Sequence, residues 1–278
     1  MRFGFVTCVQ LGLTCMETIY KVGGSLDLAV TLPDDRATAK SGRIYLDDFS
    51  ARHGIDLVKA PNVNDAAVID AVRERRIDWL FIIGWSQIAR RELLDAPTRG
   101  VLGMHPTLLP EGRGRAAVPW AILKGLPETG VTLFKLDEGV DTGPIVAQQR
   151  IPMHDTITAT ELYADVERAH STLLADAWPG LVTDRLPLVC QDPAAGSSWP
   201  GRSPADGEIR RDLTVDQALT LVRATCRPYP GAFVRRDDTV LRVWSAVPHQ
   251  PRSGRPEIVL ADGSIDAVDY QIEVDNHG

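Results

Sequence analysis

The sequence predicts an α/β protein: a Rossmann-like, mostly parallel sheet with helices on both faces, plus a small C-terminal β-rich domain. Three observations predict it. From the N-terminus to about residue 83, short apolar runs alternate with stretches of helical spacing, the rhythm of strand–helix–strand crossovers. A stretch rich in Pro, Gly, Ser and Ala, 192–206, then interrupts the chain. Beyond it the apolar runs alternate with polar residues, as antiparallel strands do. The expected organisation is a main domain over 1–190, a linker over 191–205 and a small β domain over 206–278.

Each element has its own signal. Residues 2–6 form an apolar run suited to a buried strand. Residues 7–14 read as a loop turning through Gly12, and 16–22 as a short helix stopped by Gly23 and Gly24. Residues 26–32 are a second strand closed by Pro33, and 34–42 a polar surface loop. Residues 44–53 have helical spacing, with Gly54 as the stop. A third strand follows at 55–58. The helix over 65–76 has Asn64 or Asp65 as N-cap, Ala67, Val68, Ala71 and Val72 inward, and arginines in its last turn. Residues 79–83 are an apolar strand. In such sheets ligands bind beyond the carboxyl ends of the strands. The loops 7–14, 84–88 and 104–115 are therefore expected to line one crevice. A short helix over 118–124 has Pro119 in its first turn. Residues 158–172 are helical toward Trp178, with Pro179 and Gly180 expected to end that helix. Another helix is expected over 215–225, and strands at 232–234, 240–244, 257–260 and 270–274.

Composition bounds the function. The 278 residues are 44% hydrophobic and 24% charged, with a net charge of −7, ordinary for a globular protein. The acidic balance argues against a nucleic acid as main partner. Cys8, Cys15, Cys190 and Cys226 form no Cys-x-x-Cys pair, so neither a zinc site nor a redox pair is expected, and a reducing, cytoplasmic compartment fits. The N-terminus reads as a first strand rather than a signal peptide, and no run reaches the roughly 20 apolar residues of a membrane span.

Chemistry concentrates between Gly100 and Gln148. His105 lies between a strand-like run and a proline-rich loop. An acidic loop, Asp137-Glu138-Gly139-Val140-Asp141-Thr142-Gly143, follows. A histidine and an aspartate on two loops are the minimum parts for acid–base chemistry near neutral pH.

The residues around this pair resemble a known family. His105-Pro106-Thr107-Leu108-Leu109-Pro110, Arg113-Gly114, Trp120-Ala121-Ile122, Glu128-Thr129-Gly130-Val131-Thr132 and Asp137 through Ile145 look like the formyltransferases that use 10-formyltetrahydrofolate. Asp206-Gly207-Glu208-Ile209 and Arg227-Pro228-Tyr229-Pro230-Gly231-Ala232-Phe233 resemble the junction into the small β domain of the methionyl-tRNA and sugar members. The resemblance implies formyl transfer to a primary amine, with the folate as co-substrate and no metal. His105 is then the acid/base or an oxyanion donor, and Asp141 its hydrogen-bonding partner. The loop of Trp85, Ser86, Gln87 and Ile88, with that of Asp137, Glu138 and Val140, would hold the pterin. Asp137 and Glu138 also suit a turn, and Trp85 core packing. Gln10, Arg113 and Tyr229 are candidate acceptor-binding residues. For Arg113 a phosphate or carboxylate is the expected partner; for Tyr229 a base is one reading and packing at the domain junction the other. Ser41, Gly42 and Arg43 lie in a loop that could reach the crevice.

One residue departs from the family pattern. The family carries an asparagine two residues before the histidine, where this chain has Gly103. Losing one preorganised oxyanion donor typically costs about 10²–10³ in rate. Gln10, Ser86, Gln87, Thr107 or a backbone N–H could supply a replacement.

Charge orders the acceptors. From 205 to the end there are nine arginines, no lysine and twelve acidic residues, a poor surface for tRNA phosphates. A nucleotide-linked amino sugar is therefore expected first. The alternatives are methionyl-tRNA, a hydroxyornithine-type siderophore amine, and a catalytically impaired folate- or nucleotide-binding relative. A homodimer is expected from apolar strands in the C-terminal part.

Overall fold

The computed structural model describes residues 1–35 and 43–274, so most of the expected 34–42 loop, with Ser41 and Gly42, lies outside the described residues. Two compact units are formed. The first comprises Met1–Arg113, Gly130–Ile151 and Val166–Ser198; the second comprises Gly114–Thr129, Pro152–Asp165 and Trp199–Gly278. These units, unlike the expected domains, are not contiguous in sequence.

The first unit is built on a seven-stranded sheet. Its strands are β1 (Phe3–Val6), β2 (Leu28–Thr31), β3 (Asp56–Lys59), β4 (Trp79–Ile82), β5 (Gly100–His105), β7 (Glu128–Lys135) and β8 (Ile145–Pro152). The order is β3-β2-β1-β4-β5-β7-β8. Pairing is parallel from β3 to β5 and antiparallel between β5 and β7. Fully buried Phe5, Leu28, Leu80, Phe81 and Leu102 make the strands apolar on both faces, as a helix-covered parallel sheet requires. The chain runs outward from β1 to β3, then returns beside β1 as β4. That reversal opens a crevice beyond the carboxyl ends of β1 and β4.

The helices α1 (Gln10–Lys21), α2 (Asp47–His53), α3 (Ala66–Glu74) and α4 (Arg91–Leu94) connect these strands. Most follow the expected pattern, and Gly54 closes α2 in the left-handed conformation at φ 65°. In α3 the inward face is Val68, Ile69, Ala71 and Val72, while Ala67 is exposed. Two expectations are corrected. Residues 10–14 are the first turn of α1 and not a loop. Gly12 serves close packing: a β-carbon there would lie 1.9 Å from Thr7 Oγ1. The helix α6 (Ala159–Thr183) also runs through Pro179. A proline inside a helix costs about 3 kcal/mol, but continuing the helix keeps Trp178 and Leu181 buried. The Trp178 ring packs 4.6 Å from that of Phe3, and burying two such side chains offsets the cost. Among the described residues no helix is long and apolar enough to cross a membrane.

The remaining elements are α5 (Ala117–Leu123), the two-residue strands β6 (Arg113–Gly114) and β9 (Ser198–Trp199), and a 3-10 turn at Pro204–Gly207. In the second unit α7 (Val215–Thr225) begins with a reciprocal cap: Thr214 Oγ1 accepts from Gln217 N, and Gln217 Oε1 accepts from Thr214 N. The strands β10 (Ala232–Arg236), β11 (Thr239–Pro248), β12 (Glu257–Val259) and β13 (Ser264–Val274) form an antiparallel sheet in the order β10-β11-β13-β12. The helix packs Ala218, Leu221 and Val222 against Leu241, Val243 and Ile265 of that sheet.

Candidate functional site

His105 is the last residue of β5, at the carboxyl edge of the sheet and next to β4. Its ring is almost fully buried, and Nε2 lies 2.8 Å from the carbonyl of Gly112. A carbonyl can only accept, so Nε2 carries the proton and Nδ1 is the nitrogen free to exchange one. Nδ1 faces Asp141 Oδ2 at 3.5 Å, the two side chains being 10% and 19% exposed. The structure thus brings together the pair singled out in sequence, 36 residues apart.

The loop after His105 is held by two side chains from neighbouring strands. Thr132 Oγ1 donates to the carbonyl of Thr107 and accepts from Leu109 N. Gln148 Nε2 donates to the carbonyl of Leu109 and to Thr132 Oγ1. The acidic loop is organised by Asp137, whose Oδ1 accepts from Gly139 N at 3.0 Å and from the Thr142 hydroxyl at 2.7 Å. Asp137 is thereby the turn former that its residue type suggested. Asp141 sits at φ 55°, a left-handed conformation in which aspartate is one of the tolerated residues.

Gly103 shares a face of β5 with His105, two residues on. Leu136 occupies the space a side chain would take: a β-carbon at 103 would lie 2.7 Å from Leu136 Cδ2. Of the groups named as replacement donors, the Gln87 amide is engaged at both its oxygen and its nitrogen. Its oxygen accepts from Val63 N and Trp85 Nε1, and its nitrogen donates to Pro61 O. Gln10 stands exposed on the first turn of α1, its Nε2 near Thr14 Oγ1. Ser86 is exposed. Thr107 Oγ1 is buried with no hydrogen-bond partner among the described residues.

The loop over 84–88 follows β4, and Gly84 lies against the loop after β1: a β-carbon there would meet Val9 Cγ2 at 2.3 Å. Trp85 packs against the apolar cluster of that side of the sheet. Asn64 Nδ2 donates to the carbonyl of Ile88 and its Oδ1 accepts from Arg90 N. Ile88 is 65% exposed and Val140 is 53% exposed. Arg91 on α4 and Glu138 on the acidic loop form an exposed ion pair at 3.7 Å. Two exposed aliphatic side chains with loop backbone beside them can hold a flat heteroaromatic ring.

Other expected residues are placed differently. Arg113 donates from Nε and Nη2 to Gln191 Oε1, at 3.1 and 2.7 Å. Arg43 donates to Thr31 Oγ1 and to the carbonyl of Leu32, at the end of β2. Tyr229 lies in the second unit, where its carbonyl accepts from Trp244 Nε1. Burial pushes its phenol above the usual range, and Tyr163 adds to that. Sequence reasoning missed His170, on α6. It is fully buried; Nδ1 donates to the Val166 carbonyl and Nε2 has no partner among the described residues. Burial pushes it down to about 4, against the Val166 hydrogen bond, which raises it, and with a smaller lowering from the nearby His105. It also missed Gln191, Leu136 and Gln148, whose residue types carry no signal by themselves.

A sequence profile of the formyl transferase family matches residues 31–178. Solved structures share the fold. WlaRD, a sugar 3N-formyltransferase studied with dTDP and 5-N-formyl-THF, is 17% identical with a TM-score of 0.72, covering 96% of this chain and 97% of its own. An N-formyltransferase from Helicobacter canadensis, in complex with folinic acid and dTDP-3-aminofucose, is 19% identical with a TM-score of 0.72, covering 96% and 98%. The methionyl-tRNA formyltransferase from Clostridium thermocellum is 18% identical with a TM-score of 0.65, covering 99% of both chains.

Proposed function

The chain belongs to the formyl transferase family, and from that premise we propose that it moves a formyl group from 10-formyltetrahydrofolate to the primary amine of a nucleotide-linked amino sugar. The observation that carries the chemistry is the meeting of His105 Nδ1 and Asp141 Oδ2 at the carboxyl edge of the sheet.

In this reading the amine nitrogen attacks the formyl carbon and the carbonyl oxygen becomes an oxyanion. The amine's proton passes to His105 Nδ1, beside which Asp141 stabilises the positive charge. The same proton returns to the folate nitrogen as its bond to carbon breaks, leaving a formamide on the acceptor. Nε2 keeps its proton throughout, because the Gly112 carbonyl holds it. The donor's pterin would lie against Ile88 and Val140, whose exposed side chains it would cover. Gln10, exposed beside the crevice, is the first candidate for meeting the acceptor.

The acceptor is argued from charge and likeness. The C-terminal third, with its acidic excess and no lysine, suits a small acceptor better than tRNA. Two similar structures were solved with dTDP or a dTDP-sugar. A homodimer is part of the proposal: Tyr270, Ile272 and Val274 are exposed along β13, and sedimentation of the protein as a monomer at micromolar concentration would remove it.

The test is turnover with 10-formyltetrahydrofolate and a panel of dTDP-, GDP- and UDP-amino sugars, read as a formyl mass increment on the acceptor. Product with at least one nucleotide sugar is expected. Reaction with charged initiator tRNA alone overturns the acceptor. Folate binding without any turnover would favour the impaired relative that Gly103 first suggested.

A further inference from the structure

We propose that Gln191 and Arg113 are positioning residues, and that the segment from Gln191 to Ser197, expected as a linker, is a strap that sets the geometry of the His105–Asp141 pair. The proposal rests on that pair being the one that acts in formyl transfer.

His105 ends the strand β5 and Asp141 stands on the loop between β7 and β8, so no single element sets their separation. The Asp141 backbone, left-handed at φ 55°, also receives support from outside its own loop. Gln191 supplies that support. Its Nε2 donates to the carbonyl of Asp141 at 2.9 Å and to that of Gly143 at 2.7 Å, so one amide brackets the turn. Its Oε1 accepts two N–H groups from Arg113. This assignment is the only workable one: a flipped amide would set its oxygen against two carbonyls and its N–H groups against a guanidinium.

The other end of the strap holds the other partner. Ser197 Oγ accepts from Gly112 N at 3.1 Å and donates to Glu111 Oε2 at 2.6 Å. The Ser197 carbonyl accepts from Arg113 N at 2.9 Å. Gly112 is the residue whose carbonyl orients the His105 ring. One seven-residue segment therefore fixes both the carbonyl that selects the histidine's tautomer and the backbone that carries the aspartate. Arg113, expected to meet an anion on the acceptor, gives its Nε and Nη2 donors to this strap. The Nδ1–Oδ2 separation of 3.5 Å is already long for a hydrogen bond, so a shift of either loop would separate the pair.

Gln191→Glu separates this role from simple anchoring. The carboxylate would still accept from Arg113, now as an ion pair, but it has no N–H for the Asp141 and Gly143 carbonyls. Positioning predicts a fall in kcat of about 100-fold, the scale of a 1 Å misplacement, with both KM values within about threefold of wild type. Anchoring alone predicts wild-type kcat. A second readout needs no acceptor: the NMR chemical shifts of the His105 ring at fixed pH, expected to move from the wild-type positions toward those of Asp141→Asn. This keeps the strap testable even where the proposed transfer reaction fails in the wild-type protein. Should Gln191→Glu not fold, Arg113→Lys is measured the same way, with a smaller shift in the same direction expected. Unchanged His105 ring chemical shifts and unchanged kcat in a folded variant overturn the proposal.

Discussion

Adding an asparagine at position 103 should be resisted by one side chain, Leu136. The Gly103 backbone is ordinary extended strand, so an L-residue is tolerated there; the obstacle is space. A β-carbon would lie 2.7 Å from Leu136 Cδ2, 3.3 Å from its Cγ and 3.5 Å from Phe134 Cε1. Gly103→Asn alone forces Leu136 aside, an overpacking that costs about 1–3 kcal/mol. Leu136→Ala alone empties a half-buried site and costs about 1–2 kcal/mol, less than the roughly 2–5 of a fully buried leucine. Together they should not add. The double variant should cost only about 1–2 kcal/mol, because each change supplies what the other lacks, a coupling of at least about 1 kcal/mol. Urea unfolding of the four proteins measures it. Single-turnover formyl transfer then reads the function: relative to Leu136→Ala, the double variant should gain at least about tenfold, within the 10²–10³ that one preorganised oxyanion donor typically contributes. Zero coupling would refute Leu136 as the occupant of the asparagine's space. A folded double variant no faster than Leu136→Ala would show that no donor is missing at Gly103.

Three further outcomes are expected. His105→Ala and Asp141→Asn should each lower kcat by about 10²–10⁴ with the unfolding midpoint little changed; near-wild-type turnover in either would remove the pair from the reaction. Ile88→Asp or Val140→Ser should raise the folate KM by about 5–30-fold, the equivalent of about 1–2 kcal/mol of lost apolar cover, with the acceptor KM unaffected in steady-state kinetics. His170 should make the protein acid-sensitive. Its folded value of about 4 lies below the unfolded 6.5, so as pH falls from about 6.5 to 4 the unfolded chain takes up a proton that the folded chain does not. The loss should reach roughly 3 kcal/mol, and His170→Leu should flatten that limb in denaturant titrations at pH 4.5 and 7.

Much of the fold could be read from neighbouring residues, because periodicity and caps are local properties. Leu28 and Val30 announce a buried strand, Gly54 closes α2, and the alternation along 232–274 announces the antiparallel sheet. His105 and Asp141 could be read too, because a dense motif surrounds them. Where local rules failed, packing had overruled them. Gly12 looked like a turn and is a helix residue pressed on Thr7. Pro179 looked like a stop, and the burial of Trp178 and Leu181 carries the helix past it.

The sequence by itself thus determined an α/β sheet, an appended β sheet, the family, and a histidine and an aspartate that the fold brings together. Only the tertiary structure decided what surrounds that pair. Leu136 lies over Gly103, 33 residues away in the chain, and Arg113 meets Gln191, 78 residues away. A leucine after a strand and a glutamine in a loop obey no period and carry no cap. Their roles come from which side chain stands opposite, and that is a property of the folded chain alone.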